Sequence, residues 1–347
     1  MPSRARKAAA QASFQQGEGK NYIYNGDTSL CQRATSISNI GNGDSGYHVQ
    51  DRWSVQEGGS VGGEVEMTRA TNVPNGFQYS MKFECTTAES SLAADESWRF
   101  EQRLEGQDLY AWKKGTSDAV SVTLSFWVNA TKTGTNIVRL YDNNNTRHIA
   151  KSYTVNSSNT WEYKTITYAG DTTGAFNRDN ATSLQVLFYL AAGSNFTSGT
   201  LATSWAANNA TNAAVGQVNN LDSTSNNFHI TGIQMELGNT ATDFQYESEQ
   251  ANLFRCQRYH YRINNMTAYL YSLLDTSTGS AYQRITFTHP PMRSNSPTGA
   301  ISNTITGAAS QGFQYAQEKT STVHGNPSSA GTLTLLSSAT ITLTDEL

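Results

Sequence analysis

From about residue 21 onward, hydrophobic and polar residues alternate along the chain in short runs. Over residues 77–85 every odd position is apolar and every even position is polar. Successive side chains of a strand point to opposite faces of a sheet, so this run predicts a half-buried β-strand. The same alternation recurs over residues 120–128, 184–190 and 228–237. In the last run the phase slips by one at Thr231-Gly232, which predicts a β-bulge at the glycine.

Clusters of Asn, Asp, Gly and Ser separate these runs. Residues 142–145 and 170–174 have the composition of tight turns, because Asn, Asp and Gly adopt backbone angles that other residues avoid. Many short strands joined by such turns predict an all-β protein, folded as an antiparallel jelly-roll β-sandwich. Residues 191–225 carry only weak strand signals, so we interpret them as an elaborated loop, of the kind that often carries function.

The chain has 347 residues, which is more than one ordinary domain needs, and its composition changes near residue 250. We predict an N-terminal anchoring arm over residues 1–20 and the jelly-roll sandwich over residues 21–247. Residues 248–262 contain good helix formers and predict a short helical linker. Residues 263–347 return to short strand-like runs and predict a smaller β domain.

Composition and charge exclude several classes of protein. The formal net charge of −4 disfavours a basic nucleic-acid-binding protein, so no nucleic-acid partner is expected. No apolar run approaches the roughly 20 residues that cross a bilayer, and no apolar segment follows the basic N-terminal residues. Neither membrane insertion nor a secretory signal is therefore predicted. Cys31, Cys85 and Cys256 are widely spaced and odd in number, which predicts free thiols rather than a disulfide framework or a zinc site.

No catalytic signature is recognisable, and we predict no enzyme activity, no cofactor and no metal site. The sequence contains no glycine-rich phosphate loop, no His-Glu-x-x-His and no Gly-x-Ser-x-Gly. Asp95, Glu96, Glu101 and Glu105 lie close in sequence, as the paired carboxylates of a glycosidase sometimes do. Because Glu101 and Glu105 flank Arg103, we interpret them instead as partners in a cross-strand ion pair on a charged sheet face.

Aromatic residues are abundant, and most lie in the alternating runs, where they belong to the core. Trp98, Trp112 and Trp205 fall in loop-like sequence instead. An exposed tryptophan ring can stack on the apolar face of a sugar, so Trp112 and Trp205 are candidate glycan-binding residues. The alternative is a loop that folds back and buries its own ring. Tyr269 and Tyr271 are further candidates, since residues two apart on a strand face the same side.

Several motifs, in order, resemble those of phage tail-fibre-like proteins. Residues 102–109 (QRLEGQDL) are similar to a recurring QRIEGQ element, and residues 122–128 resemble the VTLSFWV strand that follows it. Residues 228–238 resemble an ITGVQLEVG strand. The other matching segments are 160–166, 190–193, the F-E…L-x-x-CQRY junction over 244–259, the MR-x-x-PT element over 291–298 and the acidic end at 345–347.

The resemblance covers roughly residues 21–347. It implies a jelly-roll module like those of carbohydrate-binding proteins, a small β domain after it, a homotrimer and a place on the virion. Long tail fibres usually carry a large N-terminal attachment domain and a shaft, whereas about 20 residues precede the sandwich here. This departure from the family pattern favours a short fibre, a spike-like appendage, or a protein bound directly to the capsid or neck over a long fibre.

Three functions are open at this point. The first is a non-enzymatic, trimeric fibre or spike that contacts host-surface glycans and is anchored to other virion proteins through Arg4, Arg6 and Lys7. The second is a capsid decoration, cement or head-fibre protein whose basic arm pairs with acidic shell residues. The third is a glycan-cleaving tailspike, which the missing catalytic signature disfavours. All three place the protein in the virion after synthesis in the host cytoplasm.

Overall fold

The computed structural model describes residues 21–271, 283–294, 296–302, 305–306, 308–316, 320–327 and 332–347. The chain divides into two compact units, Met1–Glu247 and Ser248–Leu347. The predicted anchoring arm over residues 1–20, with Arg4, Arg6 and Lys7, lies outside the described residues.

The described strands of the first unit form two antiparallel sheets. The six-stranded sheet contains, in spatial order, β1 (Ser36–Gly41), β4 (Glu64–Ala70), β5 (Ser80–Thr87), β13 (Asn227–Leu237), β7 (Val122–Ala130) and β10 (Glu162–Tyr168). The seven-stranded sheet contains β12 (Ala206–Ala207), β9 (Arg147–Val155), β8 (Gly134–Asp142), β11 (Thr182–Ala192), β6 (Ser97–Glu105), β3 (Ser54–Gly58) and β2 (Gly46–Tyr47). Three short helices lie between strands: η1 (Gly106–Trp112), α1 (Ser194–Thr197) and η2 (Ala210–Asn212).

An aromatic layer joins the two sheets face to face. Phe100 of β6 stacks on Phe83 of β5 in the opposite sheet, with ring centroids 4.8 Å apart, and on its neighbour Phe188 at 4.9 Å. Phe188 meets Phe126 of β7 edge-on at 5.3 Å, and Trp53 lies 5.9 Å from Phe100. All five rings are almost fully buried, so they form the centre of the core. The predicted all-β jelly-roll sandwich is confirmed.

The predicted bulge in β13 is also present. The pairing of β13 with β7 changes register between Thr231 and Gln234, and Gly232 between them has a φ of +62°. A Cβ atom at Gly232 would lie 2.6 Å from the ring of Phe77, so both the backbone angle and the space at this position require glycine.

Strand β6 differs from its sequence-based interpretation in two respects. Trp98 lies in this strand and is fully buried, whereas its sequence context predicted a loop. The strand was not recognised because the polar Gln102 occupies an inward position and interrupts the apolar pattern. The predicted cross-strand ion pair is wrong. Glu101 pairs along its own strand, with Arg103 Nε at 2.7 Å and Arg99 Nε at 3.4 Å, because residues two apart on a strand share a face.

The long connection after β11 covers the outer face of the seven-stranded sheet. It contains α1, β12 and η2, and the first residues of the predicted loop belong to β11, which ends at Ala192. Ala213 and Ala214 of this connection pack on Ile137, Ala150 and Tyr189 of the sheet. The elaborated loop is therefore an additional layer of the sandwich.

His148 lies beneath this covering layer. Pairing of β12 with β9 places Ala206 opposite His148, whose side chain is fully buried. Neither ring nitrogen has a hydrogen-bond partner within the described residues. Burial, with a smaller contribution from the nearby Arg139 charge, lowers the pKa of His148 to about 4.

The described part of the second unit begins with helix α2 (Glu249–Gln257), where the Ser248 hydroxyl accepts a hydrogen bond from the Ala251 N–H at 3.2 Å. Strand β14 begins at His260, so the last three residues of the predicted helical linker belong to a strand. Among the described residues, every helix is too short or too polar to span a membrane. The strands form one sheet of β14 (His260–Tyr271), β20 (Thr332–Thr344), β16 (Thr298–Ser302) and β17 (Ile305–Thr306), and another of β15 (Gln283–Thr288), β19 (Thr320–Pro327) and β18 (Ala308–Ala316).

We expect the buried histidines to make the sandwich sensitive to acid. The unfolded chain, with an ordinary histidine pKa near 6.5, binds more protons than the folded chain between pH 6.5 and 4. The contribution of these histidines to the free energy of unfolding is therefore fully present above pH 6.5 and is lost as the pH falls towards 4. For His148 the loss is on the order of 3 kcal/mol, and His229, whose pKa is lowered to about 4 by burial and by Lys82, adds to it.

The variant His148→Phe removes the contribution of His148 and keeps that of His229. Urea unfolding at a series of pH values should show a shallower loss of the free energy of unfolding for this variant than for the wild-type protein. His48→Asn, at a half-buried position, serves as the control. An unchanged pH dependence in His148→Phe would contradict the expectation.

Candidate functional site

At the end of β6 the chain leaves the sandwich through η1 and forms one wall of a groove. Gly106 begins this turn, and a Cβ atom there would lie 1.9 Å from the Asn177 carbonyl oxygen, so the close approach requires glycine. The helix ends at Lys113, which has a left-handed φ of 51°. This path leaves Leu109 buried and the neighbouring Tyr110 63% exposed. The turn therefore presents a tyrosine ring to solvent at a fixed position.

Lys114, directly after this turn, points inward and is bound by four oxygen atoms. Its side chain is 2% exposed, and its Nζ lies 2.6 Å from Asp142 Oδ2 and 3.1 Å from Asp171 Oδ2. It also donates to the carbonyl oxygens of Thr173 and Gly174 at 2.9 and 2.7 Å. We call these four oxygens and the ammonium group the lysine cage.

The acceptors of the lysine cage come from separate parts of the chain. Asp142 ends β8, where its other carboxylate oxygen accepts from the backbone N–H groups of the turn after it. Asp171 lies after β10 and also binds Arg147 at 2.8 and 3.1 Å. Although burial alone would raise it, hydrogen bonds from Arg147, the Thr173 N–H and Lys114 hold the pKa of Asp171 below its usual value. The cage therefore fixes the loops after η1, β8 and β10 to one another.

These fixed loops enclose a groove of about 510 Å³. This volume lies within the range of small-molecule sites, roughly 300–1,000 Å³. The groove has an apolar side formed by Leu109 and Phe176 and a polar rim that includes Lys113 and Arg178. The lining residues are Gly106, Leu109, Tyr110, Ala111, Lys113, Lys114, Thr116, Asp118, Ala175, Phe176 and Arg178.

The rim of the groove combines an aromatic ring with exposed cations. The guanidinium carbon of Arg178 lies 4.1 Å from the centroid of the Tyr110 ring, which is a stacking distance. Within the described part of the chain, no carboxylate forms an ion pair with Arg178 or Lys113. Lys114 is already neutralised by its cage, and Asp118 is the acidic residue of the lining. The rim can therefore offer an aromatic surface and charged N–H donors to one ligand.

The structure brings the two predicted tryptophans together behind the groove rather than in it. Trp112 is 3% exposed and packs edge-on against Tyr22 at 5.7 Å and Phe176 at 6.0 Å. Trp205 is half-buried and donates its indole N–H to the Ala169 carbonyl at 2.8 Å. Both line a crevice of about 10 Å³, which is at most large enough for one water molecule.

For Trp112 the structure shows the alternative interpretation, a loop that folds back and buries its own ring. Its expected role as an exposed sugar platform is corrected accordingly. Tyr269 and Tyr271 belong to β14, as expected for strand residues, but their side chains lie outside the described residues. Their role in glycan binding stays a prediction.

Sequence reasoning missed the residues that form the groove rim, Tyr110, Arg178 and Lys113. Tyr110 directly follows the recognised QRLEGQDL motif, which was the available signal. Its position on the rim depends on the turn at Gly106, and its ring contacts Arg178, which lies 68 residues later in sequence. Neither feature is visible in the hydrophobic periodicity of the sequence.

A second aromatic surface lies on the outer face of the six-stranded sheet. Trp127 of β7 and Tyr163 of β10 are paired in register, with ring centroids 5.2 Å apart, and Tyr163 is 44% exposed. Nearby, Trp161 donates its indole N–H to Asn72 Oδ1 at 3.1 Å. This surface is a flat sheet face with no cation stacked on its exposed ring among the described contacts, so it differs in chemistry from the groove.

Comparison with known proteins finds no matching protein-family model and no match among curated proteins. Among solved structures, the chain is similar to a family 11 carbohydrate-binding module of a cellulosomal cellulase from Clostridium thermocellum, with 12% identity and a TM-score of 0.29 over 59% of this chain and 97% of that chain. It is also similar to the enzymatically active domain of tailspike protein 4 of bacteriophage CBA120, with 15% identity and a TM-score of 0.31 over 63% of this chain. The chain covers 21% of that tailspike domain, about a fifth of its length. Both TM-scores are below 0.5, so an assignment of function depends on the chain's own site.

Proposed function

We propose that this chain is a non-enzymatic virion protein whose β-sandwich binds host-surface glycans in the groove beside η1. The observation that carries the proposal is the pairing of the 63% exposed Tyr110 ring with the Arg178 guanidinium at the rim of a 510 Å³ groove. An aromatic face stacks on the apolar face of a sugar, and the N–H donors beside it bind hydroxyl or carboxylate oxygens.

The form of the site also supports binding rather than turnover. Two of the four carboxylates between residues 95 and 105 are occupied elsewhere: Glu101 is fully buried between two arginines, and Glu96 accepts a hydrogen bond from the Ala93 N–H at 2.7 Å. Open grooves with few donors bind sugars weakly at each site. Several copies in one appendage would raise the overall avidity, which is the role we propose for a homotrimer.

Binding by the groove can be tested with a glycan array of bacterial surface oligosaccharides, followed by titration of the positive glycans. Tyr110→Ala removes the stacking ring and should weaken binding roughly two- to tenfold, since an aromatic contact contributes about 0.5–1.5 kcal/mol. Because Tyr110 is exposed, the thermal unfolding midpoint of this variant should stay close to that of the wild-type protein.

The matched variant is Tyr163→Ala, which removes an exposed tyrosine from the second aromatic surface. It should bind glycans as the wild-type protein does. If Tyr163→Ala loses binding and Tyr110→Ala keeps it, the glycan site is the sheet face and the groove proposal is wrong. If the wild-type protein binds no glycan, the proposed function itself is contradicted.

The proposed place in the virion rests on the ordered motifs shared with phage tail-fibre-like proteins and on the basic arm with Arg4, Arg6 and Lys7. Immunogold labelling of intact virions with antibody to this chain should place it on the tail or tail tip. Label over the head would instead favour the alternative of a capsid decoration, cement or head-fibre protein. Virions without label would contradict both.

A further inference from the structure

We infer that the groove selects glycans that carry a carboxylate, such as uronic or other acidic sugars. This inference rests on the proposed function and names the ligand class of the same groove. The chain as a whole has a formal net charge of −4, so a rim with two exposed cations runs against the overall charge. The local arrangement of charge therefore distinguishes this groove from the average surface of the protein.

The position of Arg178 suits a carboxylate in particular. Its guanidinium carbon lies 4.1 Å from the Tyr110 ring centroid, so the ring supports the guanidinium plane. Within the described residues, no hydrogen-bond acceptor occupies its N–H groups. A planar guanidinium held in this way can donate two parallel hydrogen bonds to a carboxylate, and stacking reduces the side-chain entropy that such binding costs.

Lys113 adds a second cation to the same rim. Lys113 is exposed and has a left-handed backbone, whereas the side chain of the next residue, Lys114, points inward to its cage. Lys113 and Arg178 together outnumber the acidic residue of the lining, Asp118. A neutral sugar would leave both cations in water, whereas an acidic sugar gains charge-assisted hydrogen bonds and faster association.

The inference is tested with acidic oligosaccharides, each paired with its carboxyl-reduced form of the same length and linkage. Uronic-acid oligomers and their reduced forms serve as probes in calorimetric titration. The wild-type protein should bind the acidic form at least tenfold more tightly, and this preference should shrink as the salt concentration rises. Arg178→Gln should remove most of the preference, and Arg178→Lys should keep only part of it because it loses the planar donor pair.

The control is Lys151→Gln, which makes the same change in net charge on β9, outside the groove lining. It should keep the preference of the wild-type protein. If acidic and reduced forms bind equally well, with binding still lost in Tyr110→Ala, the groove binds glycans but does not select their charge. If neither form binds while other glycans do, the inference also fails. If no glycan binds, the proposed function fails first.

A second, independent observation concerns the lysine cage. Two carboxylate and two carbonyl oxygens converge on the Lys114 ammonium at 2.6–3.1 Å. This is the type of oxygen set that hard cations such as Ca²⁺ prefer, and an ammonium group offers only three N–H donors to the four oxygens. We propose that Lys114 acts as a built-in structural cation, so that the groove loops are organised without any need for a metal ion.

The proposal predicts a metal site once the ammonium is removed. The variant Lys114→Ala should be less stable than the wild-type protein, because Asp142 loses its cation and Asp171 keeps only Arg147. Ca²⁺ should raise its thermal unfolding midpoint in a concentration-dependent way, whereas neither Ca²⁺ nor a chelator should change that of the wild-type protein. Adding Asp142→Asn to Lys114→Ala removes one carboxylate ligand and should abolish the response.

Should Lys114→Ala not fold without metal, refolding in Ca²⁺ restores it if the proposal is correct. Lys114→Gln, which fills more of the space with a neutral amide, provides a second variant for the same titration. The proposal is overturned if neither variant responds to Ca²⁺, or if the wild-type protein itself is stabilised by Ca²⁺ and destabilised by a chelator.

Discussion

The structure of the first unit depends on the aromatic contact between its two sheets. Phe100 stacks on Phe83 across the interior and on Phe188 beside it, and these rings are buried from both sides. Burial of such large rings is the main favourable term that can offset the loss of chain entropy in a sandwich of short strands. Because the sheets supply that stability, the loops at the sandwich ends are free to carry a site whose residues contribute little to the core.

The groove shows how such loops gain a defined shape without a core of their own. Lys114 is a buried charge that binds acceptors from two other loops, and such a group is stable only when every partner is in place. The cage therefore acts as a positional constraint. It holds the loop after η1 against the loop after β10, and through them it fixes the distance between Tyr110 and Arg178. The chemistry of the exposed rim depends on an ion cluster that is itself hidden.

Whether a feature could be predicted from the sequence depends mainly on how far apart in sequence the interacting residues lie. The strand predicted over 77–85, which the structure shows as Ser80–Thr87, and the predicted bulge at Gly232 both depend on neighbours in sequence. Trp112 lies in a segment without periodicity, so its burial against Tyr22 and Phe176 could not be inferred. The ion pair of Glu101 with Arg103 is an exception: it was predicted between strands but lies within one, and this local contact follows from the rule that residues two apart on a strand share a face.

The all-β class, the alternation of buried and exposed positions in the strands and the place of the main turns can be predicted from the amino-acid sequence alone. These features follow from the period of the side chains along a strand and from the backbone preferences of Gly, Asn and Asp. Three features of the site arise from long-range packing: the choice of aromatic residue that faces the groove, the inward direction of Lys114 and the contact of Arg178 with Tyr110. Those arrangements join residues far apart in sequence, and exposure is set by what packs on a residue rather than by the residue itself.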